Sequence, residues 1–170
     1  VYASGVVNSD ASAQVEAEEV TLVSMSRYHV RVRATAGEEV TDWAKTSFVT
    51  ALLDNQEWKG AFVTAESEAD ADNSKGTYVR KAFQVKGKIK EAFVCTTALG
   101  LYNFYLNGKK VGQDELTPGW TSYQKHLCYQ TYEVTDYLKE GENAAAAVLG
   151  AGWYKGKMGF LGLRNNYGKN

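Results

Sequence analysis

Apolar and polar residues alternate along several short segments of this chain, and a period of two is typical of β-strands. In RYHVRVRAT, Tyr28, Val30 and Val32 alternate with histidine and arginine residues, which predicts a strand with one apolar face. VTDWAKTSFVTALL follows a turn centred on Gly37 and predicts a second strand on the same core, while VVNSD and VTLVSM predict short strands upstream. The first part of the chain is therefore predicted to be a small β-sandwich.

A second group of predicted strands follows the acidic, polar stretch ESEADADNSKG, which is typical of a surface loop. TYVRKAFQV, EAFVCTTAL and HLCYQTYEV each have the pattern of a strand, and Tyr102, Phe104 and Leu106 share one face of YNFYL. Asn107-Gly108 comes next, and this pair favours the positive φ angles of a two-residue hairpin turn. These segments predict an antiparallel arrangement.

The last part of the chain is predicted to contain one helical turn and one long strand. Thr135 is placed to cap a turn that Gly141 ends, and AAAAVLGAGWYKG then returns to strand structure. Many short strands and few helices predict an all-β chain. We expect a partial β-sandwich over residues 1–55, without its first strands, and an antiparallel jelly-roll β-sandwich over residues 56–170, ending before its closing strands.

Composition and charge exclude several classes of partner. The chain has 170 residues, 44% of them hydrophobic, and a formal net charge of -1, so nothing favours a nucleic acid or an anionic membrane. No apolar run has the length of a membrane span, and the compartment is left open. Cys95 and Cys128 lie in apolar stretches and are predicted to be buried thiols, but whether they pair is also left open.

Candidate catalytic groups are scarce. His29 and His126 are the only histidines, and the sequence places no serine or cysteine beside either to form a triad, so we expect structural or surface roles for both. A glycosidase needs two carboxyl groups on either side of a sugar bond, whereas Glu66, Glu68 and Asp70 share one predicted loop with other acids. We therefore predict no catalytic residue in this chain.

Sugar binding fits the residue types better, because pyranose C–H faces pack on aromatic rings while hydroxyls bind amides and carboxylates. The residues that supply this mixture are Trp120, Tyr123, Trp153, Tyr154, Asn103, Gln113 and Asn165. Aromatic residues are equally typical of a sandwich core, so this alternative stays open. The stretch Asp70–Asn73 offers oxygen ligands to Ca²⁺ but lacks the ordered spacing of an EF-hand.

Several longer phrases resemble the N-terminal region of bacterial α-L-rhamnosidases. They include YHVRVRATAGEEVTDWAKTSFVTALLDNQEWKGAFV, ALGLYNFYLNGKKVG, LTPGWTSYQKHLCYQTYEVTDYLKEGEN and LGAGWYKGKMGF. Residues to about Leu53 resemble the fibronectin- or immunoglobulin-like domain that opens those enzymes, and the rest resembles their N-terminal jelly-roll domain. The combination of Asn107-Gly108, Leu116–Trp120 and Gly152–Tyr154 carries the likeness.

This resemblance implies a parent enzyme, a glycoside hydrolase that removes terminal α-L-rhamnose with inversion. In that family the acid and base carboxylates lie on a helical domain further along the polypeptide. The chain is therefore expected to be non-catalytic and to act in domain scaffolding or in substrate recognition. The implied partners are a rhamnose-containing glycoside or polysaccharide and the downstream catalytic domain of the same polypeptide.

The resemblance also implies a binding site, because some members use the jelly roll as a calcium-dependent rhamnose-binding module. By position, Asp72 and Asn73 match an Asp-Asn pair that serves both metal and sugar, and Gln113 with the Pro118 carbonyl matches further calcium ligands. A glutamine at 113 departs from the expected Asn or Asp. The candidate carbohydrate-binding residues are Asp72, Asn73, Trp120 and Trp153. The alternatives are an independent calcium-dependent carbohydrate-binding module and a purely structural β-sandwich.

Overall fold

The computed structural model describes residues 2–11, 13–16, 20–64 and 76–168. Its contacts divide the chain into two units, Val1–Lys59 and Gly60–Asn170, while the domain ranges 1–55 and 56–170 stay a prediction. The described residues form antiparallel strands with few helical turns, which confirms the predicted all-β class. No helix among them is both long and apolar enough to cross a membrane.

The described residues of unit 1 contain four short strands that form two ribbons. The strands are β1 (Arg27–Val32), β2 (Thr35–Ala36), β3 (Glu39–Val40) and β4 (Ala44–Val49). β1 pairs with β4 in antiparallel register from Arg27 opposite Val49 to Val32 opposite Ala44, and β2 pairs with β3 across the turn at Gly37, whose φ is +61°. The strands predicted in these two segments are confirmed.

The short strands predicted in VVNSD and VTLVSM are wrong, since the structure has no strand in either segment. Side chains take the backbone groups of the second segment instead. The Val23 amide donates to the Tyr28 hydroxyl at 2.7 Å, and the Val23 carbonyl accepts from the Thr50 hydroxyl at 2.6 Å. Thr50 Oγ1 also accepts from the Ser26 amide at 2.9 Å. Backbone groups that are already hydrogen-bonded to side chains are not available to pair with a neighbouring strand.

Burial in unit 1 also differs from prediction. Val30 and Val32 remain 43% and 62% exposed, so the apolar face of β1 is not covered by a second layer. Tyr28 stacks on Phe48 of β4 with ring centroids 5.4 Å apart. The unit ends in a 3₁₀ turn over Asn55–Glu57 with a capping box formed by the Asp54 and Glu57 side chains.

In the part of unit 2 that the structure describes, six antiparallel strands form two sheets. They are β5 (Thr77–Val85), β6 (Phe93–Thr96), β7 (Leu101–Leu106), β8 (Lys109–Lys110), β9 (Gln130–Glu133) and β10 (Gly141–Gly150). One sheet has the order β5-β10-β7-β8, and the other consists of β6 and β9. β10 is central to the larger sheet because it pairs with β5 on one side and β7 on the other.

The core of unit 2 lies between these sheets. Its buried centre is Leu106, Val111 and Val134. Side chains from both sheets pack against this centre, among them Phe83, Phe104 and Ala145 from the larger sheet and Val94 and Tyr132 from the smaller one. Tyr102, Phe104 and Leu106 therefore share the predicted inward face of β7, and the unit is a β-sandwich.

The hairpin between β7 and β8 has the predicted turn, because Asn107 and Gly108 adopt φ of 49° and 81°. The Asn107 side chain has a second role that the turn pattern does not reveal. Its amide nitrogen donates to the Tyr137 carbonyl and to Asn143 Oδ1, both at 2.8 Å, and its Oδ1 accepts from the Ala144 amide at 2.9 Å. The turn is therefore tied to the start of β10.

Asn143 completes this connection from inside the unit. It is only 2% exposed. Its Nδ2 donates to the carbonyls of Lys139 at 2.7 Å and Gly141 at 2.9 Å, and its Oδ1 accepts from the Lys139 amide at 3.0 Å. All polar atoms of this buried side chain are bonded, which is the condition for burying an amide at low cost.

Three further predictions for unit 2 need correction. Thr135 starts the 3₁₀ turn Thr135–Tyr137 but does not cap it; its hydroxyl instead accepts from the Ala92 amide at 3.0 Å. Gly141 begins β10, since the turn has already ended at Leu138. The segment Gly152–Lys155 forms one α-helical turn, α1, and not the end of a strand.

The two cysteines do not form a disulfide. Cys95 Sγ lies 3.4 Å from the Thr131 hydroxyl, and Cys128 Sγ lies 3.6 Å from His126 Nε2. Both residues are partly buried. The question that the sequence left open is thereby answered in favour of two separate thiols.

Candidate functional site

The predicted site residues fall into two groups. Asp72 and Asn73 lie outside the described residues. The others belong to unit 2: Gln113 is exposed, Pro118 is buried, Trp120 is 54% exposed and Trp153 is partly buried. The structure therefore bears on the segment from Gln113 to Trp120 and on its surroundings.

The segment from Gln113 to Trp120 belongs to a longer loop, residues 112–123, which we call the Pro118 loop. Thr117, which is 6% exposed, fastens it to β7 by donating its hydroxyl to the Tyr102 carbonyl at 2.6 Å, while the Tyr102 amide donates to the Thr117 carbonyl at 3.0 Å. The Gln130 side chain donates to the Pro118 carbonyl at 3.3 Å. The middle of the loop is thus fixed by strands β7 and β9 before any ligand arrives.

The first half of the loop is held by polar side chains. Lys110 forms a salt bridge with Glu115 at 2.6 Å and donates to the Asp114 carbonyl at 3.2 Å. The Tyr132 hydroxyl donates to Asp114 Oδ2 at 2.8 Å. Burial, together with this bond to a carboxylate, raises the pKa of Tyr132 far above its usual value. Tyr132 therefore keeps its hydroxyl proton at neutral pH and acts as the donor in this hydrogen bond.

Aromatic rings surround the second half of the loop. The indoles of Trp120 and Trp153 are stacked with centroids 5.9 Å apart and planes 2° from parallel. Trp120 Nε1 donates to the Tyr167 hydroxyl at 3.1 Å. Tyr123 meets Tyr154 and Tyr167 edge to face at 5.3 and 5.0 Å, and its burial raises its pKa. The fold thus brings the two predicted tryptophans together.

A depression opens between the Pro118 loop and strands β7 and β10 of the larger sheet. Glu115 and Leu116 border it from the loop, and Asn103 of β7 and Val148 of β10 are part of its lining. Gly76 lines the same depression. Gly76 is the first described residue after residues 65–75, and it comes four positions after Asp72 in the sequence.

Sequence reasoning missed the residues that hold this site in place. Gln130, Thr117 and Tyr132 act on the loop through contacts between residues far apart in the chain, and no local pattern marks them. Tyr102 was predicted only to share one strand face with Phe104 and Leu106, yet its hydroxyl also donates to Gln130 Oε1 at 2.7 Å. A polar Gln130 within an aromatic strand was the one available signal.

The described residues contain no group of three or more His, Cys, Asp or Glu side chains that could hold a metal ion. A site of the predicted kind relies on amide and carbonyl oxygens of Gln113 and Pro118 together with Asp72 and Asn73. The Pro118 carbonyl keeps one lone pair free after accepting from Gln130, which is compatible with a Ca²⁺ ligand. The calcium ligands stay a prediction.

Two family models match the chain. Residues 1–54 match the Rha78A-like N-terminal immunoglobulin domain, and residues 87–170 match the α-L-rhamnosidase N-terminal domain. The two matches follow the order that the sequence phrases predicted.

Full-length relatives agree with these matches. The chain is 37% identical over 137 residues to an α-L-rhamnosidase of Streptomyces avermitilis, a match that covers 76% of this chain and 13% of that protein. It is 31% identical to an α-L-rhamnosidase of Alteromonas sp., covering 91% of this chain and 18% of that protein. The chain therefore spans less than a fifth of the length of these relatives.

Solved structures give the same answer. A native α-L-rhamnosidase from Aspergillus terreus matches with a TM-score of 0.80 and 36% identity, over 86% of this chain and 18% of that one. The Streptomyces avermitilis α-L-rhamnosidase complexed with L-rhamnose matches with a TM-score of 0.52 and 46% identity, over 54% of this chain and 9% of that one. Sequence phrases, domain order and fold agree, and the chain belongs to the α-L-rhamnosidase family, where it corresponds to the N-terminal region.

Proposed function

We propose that this chain is the non-catalytic N-terminal part of an enzyme that hydrolyses terminal α-L-rhamnosides. Its relatives are α-L-rhamnosidases of which it matches less than a fifth, so most of each relative lies outside the match. The catalytic acid and base then belong to a downstream domain of the same polypeptide. The chain contributes support for that domain and recognition of the substrate.

Recognition is assigned to the depression beside the Pro118 loop in unit 2. The observation that carries this assignment is that Gly76, Glu115 and Leu116 border one cavity. Gly76 follows the Asp72-Asn73 pair by only a few positions in the sequence, and Glu115 and Leu116 belong to the loop that carries Gln113 and Pro118. A rigid loop on a sandwich edge is also the kind of support that a binding site requires.

The lining suits a deoxy sugar. The methyl group of rhamnose finds apolar surface on Leu101, Leu116 and Val148, while its hydroxyls find the Asn103 amide and the Glu115 carboxylate. Asp72, Asn73, Gln113 and the Pro118 carbonyl would hold a calcium ion, whose chemistry is to bind neighbouring sugar hydroxyls through its open coordination positions. The exposed Trp120 offers an indole face to the next sugar ring.

Calorimetric titration of the chain with L-rhamnose tests recognition. We expect saturable heat with calcium present, and we expect a chelator to abolish it. Asn103→Ala is expected to weaken binding about tenfold, since a buried sugar hydroxyl would lose its partner. Gln84→Ala, an exposed amide on β5, is the matched control and is expected to bind normally. If saturating rhamnose gives no heat, the chain acts as a support only.

Hydrolysis needs a separate assay. The full polypeptide is expected to release rhamnose from an aryl α-L-rhamnoside, whereas residues 1–170 alone are expected to release none. Rhamnose release by the isolated chain would overturn its non-catalytic role. Absence of release by the full polypeptide would overturn the proposed enzyme class.

A further inference from the structure

A second candidate surface lies in unit 1, on one face of the β1–β4 ribbon. His29 and Arg31 alternate with Tyr28, Val30 and Val32, so these basic side chains leave β1 on a common side, and Arg33, directly after β1, packs on the same Trp43 ring as Arg31. Lys45 of β4 lies directly opposite Arg31 in the antiparallel register. We call the group His29, Arg31, Arg33, Trp43 and Lys45 the arginine face. All five residues are exposed.

Trp43 organises this face. The guanidinium carbons of Arg31 and Arg33 each lie 4.7 Å from the centroid of its ring. A guanidinium that packs on an aromatic ring keeps its in-plane N–H donors available, while its torsional freedom is reduced. Two arginines are thus held in place by one indole, which itself remains 42% exposed.

The positive charge of the face is not neutralised by any carboxylate among the residues that the structure describes. Like charges directly opposite each other, such as Arg31 and Lys45, destabilise a pair of strands. The nearest acidic residues in the chain are Glu38, Glu39 and Asp42, and within the described residues none of them forms an ion pair with the face. A face that concentrates cations at some cost in stability is suited to an anionic ligand.

We propose that the arginine face binds an anionic polysaccharide. Carboxylate or sulfate groups of the polymer accept the N–H donors of Arg31 and Arg33, a geometry that guanidinium groups favour because it allows two parallel hydrogen bonds. Lys45 adds charge, and a sugar ring packs against the exposed part of Trp43. The inference concerns unit 1 alone and does not depend on rhamnose binding or hydrolysis.

The surroundings favour a polysaccharide over other polyanions. The net charge of -1 gives the chain no extended basic field of the kind that nucleic-acid-binding proteins use. The face is an open side-chain surface of a two-stranded ribbon, whereas a peptide binds by adding to a strand edge or by filling a groove. An extended polysaccharide carries repeated anionic groups and sugar rings. These match an open face on which cationic side chains surround one indole ring.

Affinity electrophoresis of the chain in native gels tests the proposal. Gels contain polygalacturonate, dextran sulfate or uncharged dextran at equal polymer mass, in about 20 mM salt so that screening is weak. We expect retardation by at least one charged polysaccharide and none by dextran. The two charged gels distinguish carboxylate from sulfate as the preferred group. Absence of retardation in both would overturn the proposal.

Variants locate the site. Arg31→Gln with Arg33→Gln is expected to raise the apparent dissociation constant about tenfold, since two charge-assisted contacts are lost. Trp43→Ala is expected to weaken binding several-fold although no charge changes. Arg80→Gln with Lys81→Gln removes the same charge from β5 and is the matched control. Equal weakening by the control would assign the effect to net charge and overturn the site.

Two further comparisons complete the test. The double variant Arg31→Lys with Arg33→Lys keeps both positive charges. It can therefore test the site even if circular dichroism shows that the glutamine double variant does not fold. Binding that is weaker than in the parent chain supports guanidinium recognition, and unchanged binding contradicts it. Retardation by poly-L-glutamate or single-stranded DNA as strong as by the better polysaccharide would show general polyanion binding and overturn the proposal.

Discussion

The two units use the same alternation of apolar and polar residues with different results. In unit 1, Val32 and Phe48 face outward and stay 62% and 42% exposed. In unit 2, Leu106 and Val134 are 4% and 2% exposed because a second sheet lies against the first. A strand pattern therefore specifies which side chains share a face, while burial depends on whether another layer covers that face.

The buried polar residues of the two units also differ, in the number of groups that each one connects. Thr50, a buried polar residue of unit 1, joins Val23 and Ser26 to the end of β4 through its hydroxyl. Asn143 in unit 2 connects three backbone groups and a second asparagine. Unit 2 is expected to unfold later than unit 1, and the predictions below examine this difference in decreasing order of effect.

The largest effect is expected at Asn143, and the first variant is Asn143→Leu. The substitution leaves the Lys139 amide and the carbonyls of Lys139 and Gly141 without partners, and each buried unsatisfied group costs about 1–3 kcal/mol. We expect the free energy of unfolding of unit 2 to fall by about 4 kcal/mol. Hydrogen exchange in increasing urea, read by mass spectrometry from peptides of each unit, measures this.

Two variants control that experiment. Thr50→Val is the corresponding change in unit 1 and is expected to cost about 1–2 kcal/mol, confined to unit 1 peptides. Asn143→Asp retains an acceptor for the Lys139 amide but sets a buried carboxylate oxygen against the carbonyls of Lys139 and Gly141, so a loss at least as large as that of Asn143→Leu is expected at neutral pH. If Asn143→Leu destabilised unit 2 by no more than Thr50→Val destabilises unit 1, the structural role of the asparagine pair would be wrong.

The next effect concerns apolar packing. Leu106→Ala removes a side chain that is 4% exposed and is expected to destabilise unit 2 by about 3 kcal/mol, because both transfer and cavity contribute. Val32→Ala removes a side chain that is 62% exposed and is expected to change unit 1 by less than about 0.5 kcal/mol. Urea midpoints of the two variants give the comparison; equal losses would contradict the uncovered state of β1.

The same contrast explains how much of the fold could be predicted from the sequence. Strands β1, β4, β5, β7 and β10 were predictable because alternation and the Asn107-Gly108 turn are local signals. The Val23–Ser26 segment has equally good strand composition, yet the hydroxyl of Thr50, distant in sequence, takes its backbone groups. Thr135 likewise follows a cap pattern but bonds to Ala92, a residue 43 positions away.

The candidate site was likewise only partly predictable from the sequence. Trp120 and Trp153 could be chosen from residue type, and the structure stacks them, but their pairing depends on α1 lying beside the Pro118 loop. The depression depends on four separate segments meeting at the sheet, and no window of sequence contains Gly76, Asn103, Glu115 and Val148 together. The arginine face also required the register of β1 and β4.

The smallest effect is a difference in pH dependence. In unit 2, burial raises the pKa of Tyr132 and also that of Tyr102, so both favour the neutral form in the folded state. Their stabilising contribution is complete below the unfolded tyrosine pKa of about 10 and is lost as pH rises above it. In unit 1, the hydrogen bond from Ser24 lowers the pKa of Glu57, so its contribution is present above the unfolded pKa of about 4.5 and is lost in acid.

Alkali is therefore expected to weaken unit 2 first, and acid is expected to act slightly on unit 1, where Glu57 is exposed and screened. Tyr132→Phe should reduce the fall in the urea midpoint of unit 2 between pH 9 and 11, since it removes the group that must ionise inside the fold. Ser24→Ala should remove the smaller acid dependence of unit 1 without changing the alkaline limb. Circular dichroism with urea at each pH follows both transitions. If Tyr132→Phe left the fall in the urea midpoint at alkaline pH unchanged, ionisation of Tyr132 would not be linked to unfolding. The hydrogen bond to Asp114 would then fix the Pro118 loop without adding to the pH dependence of stability.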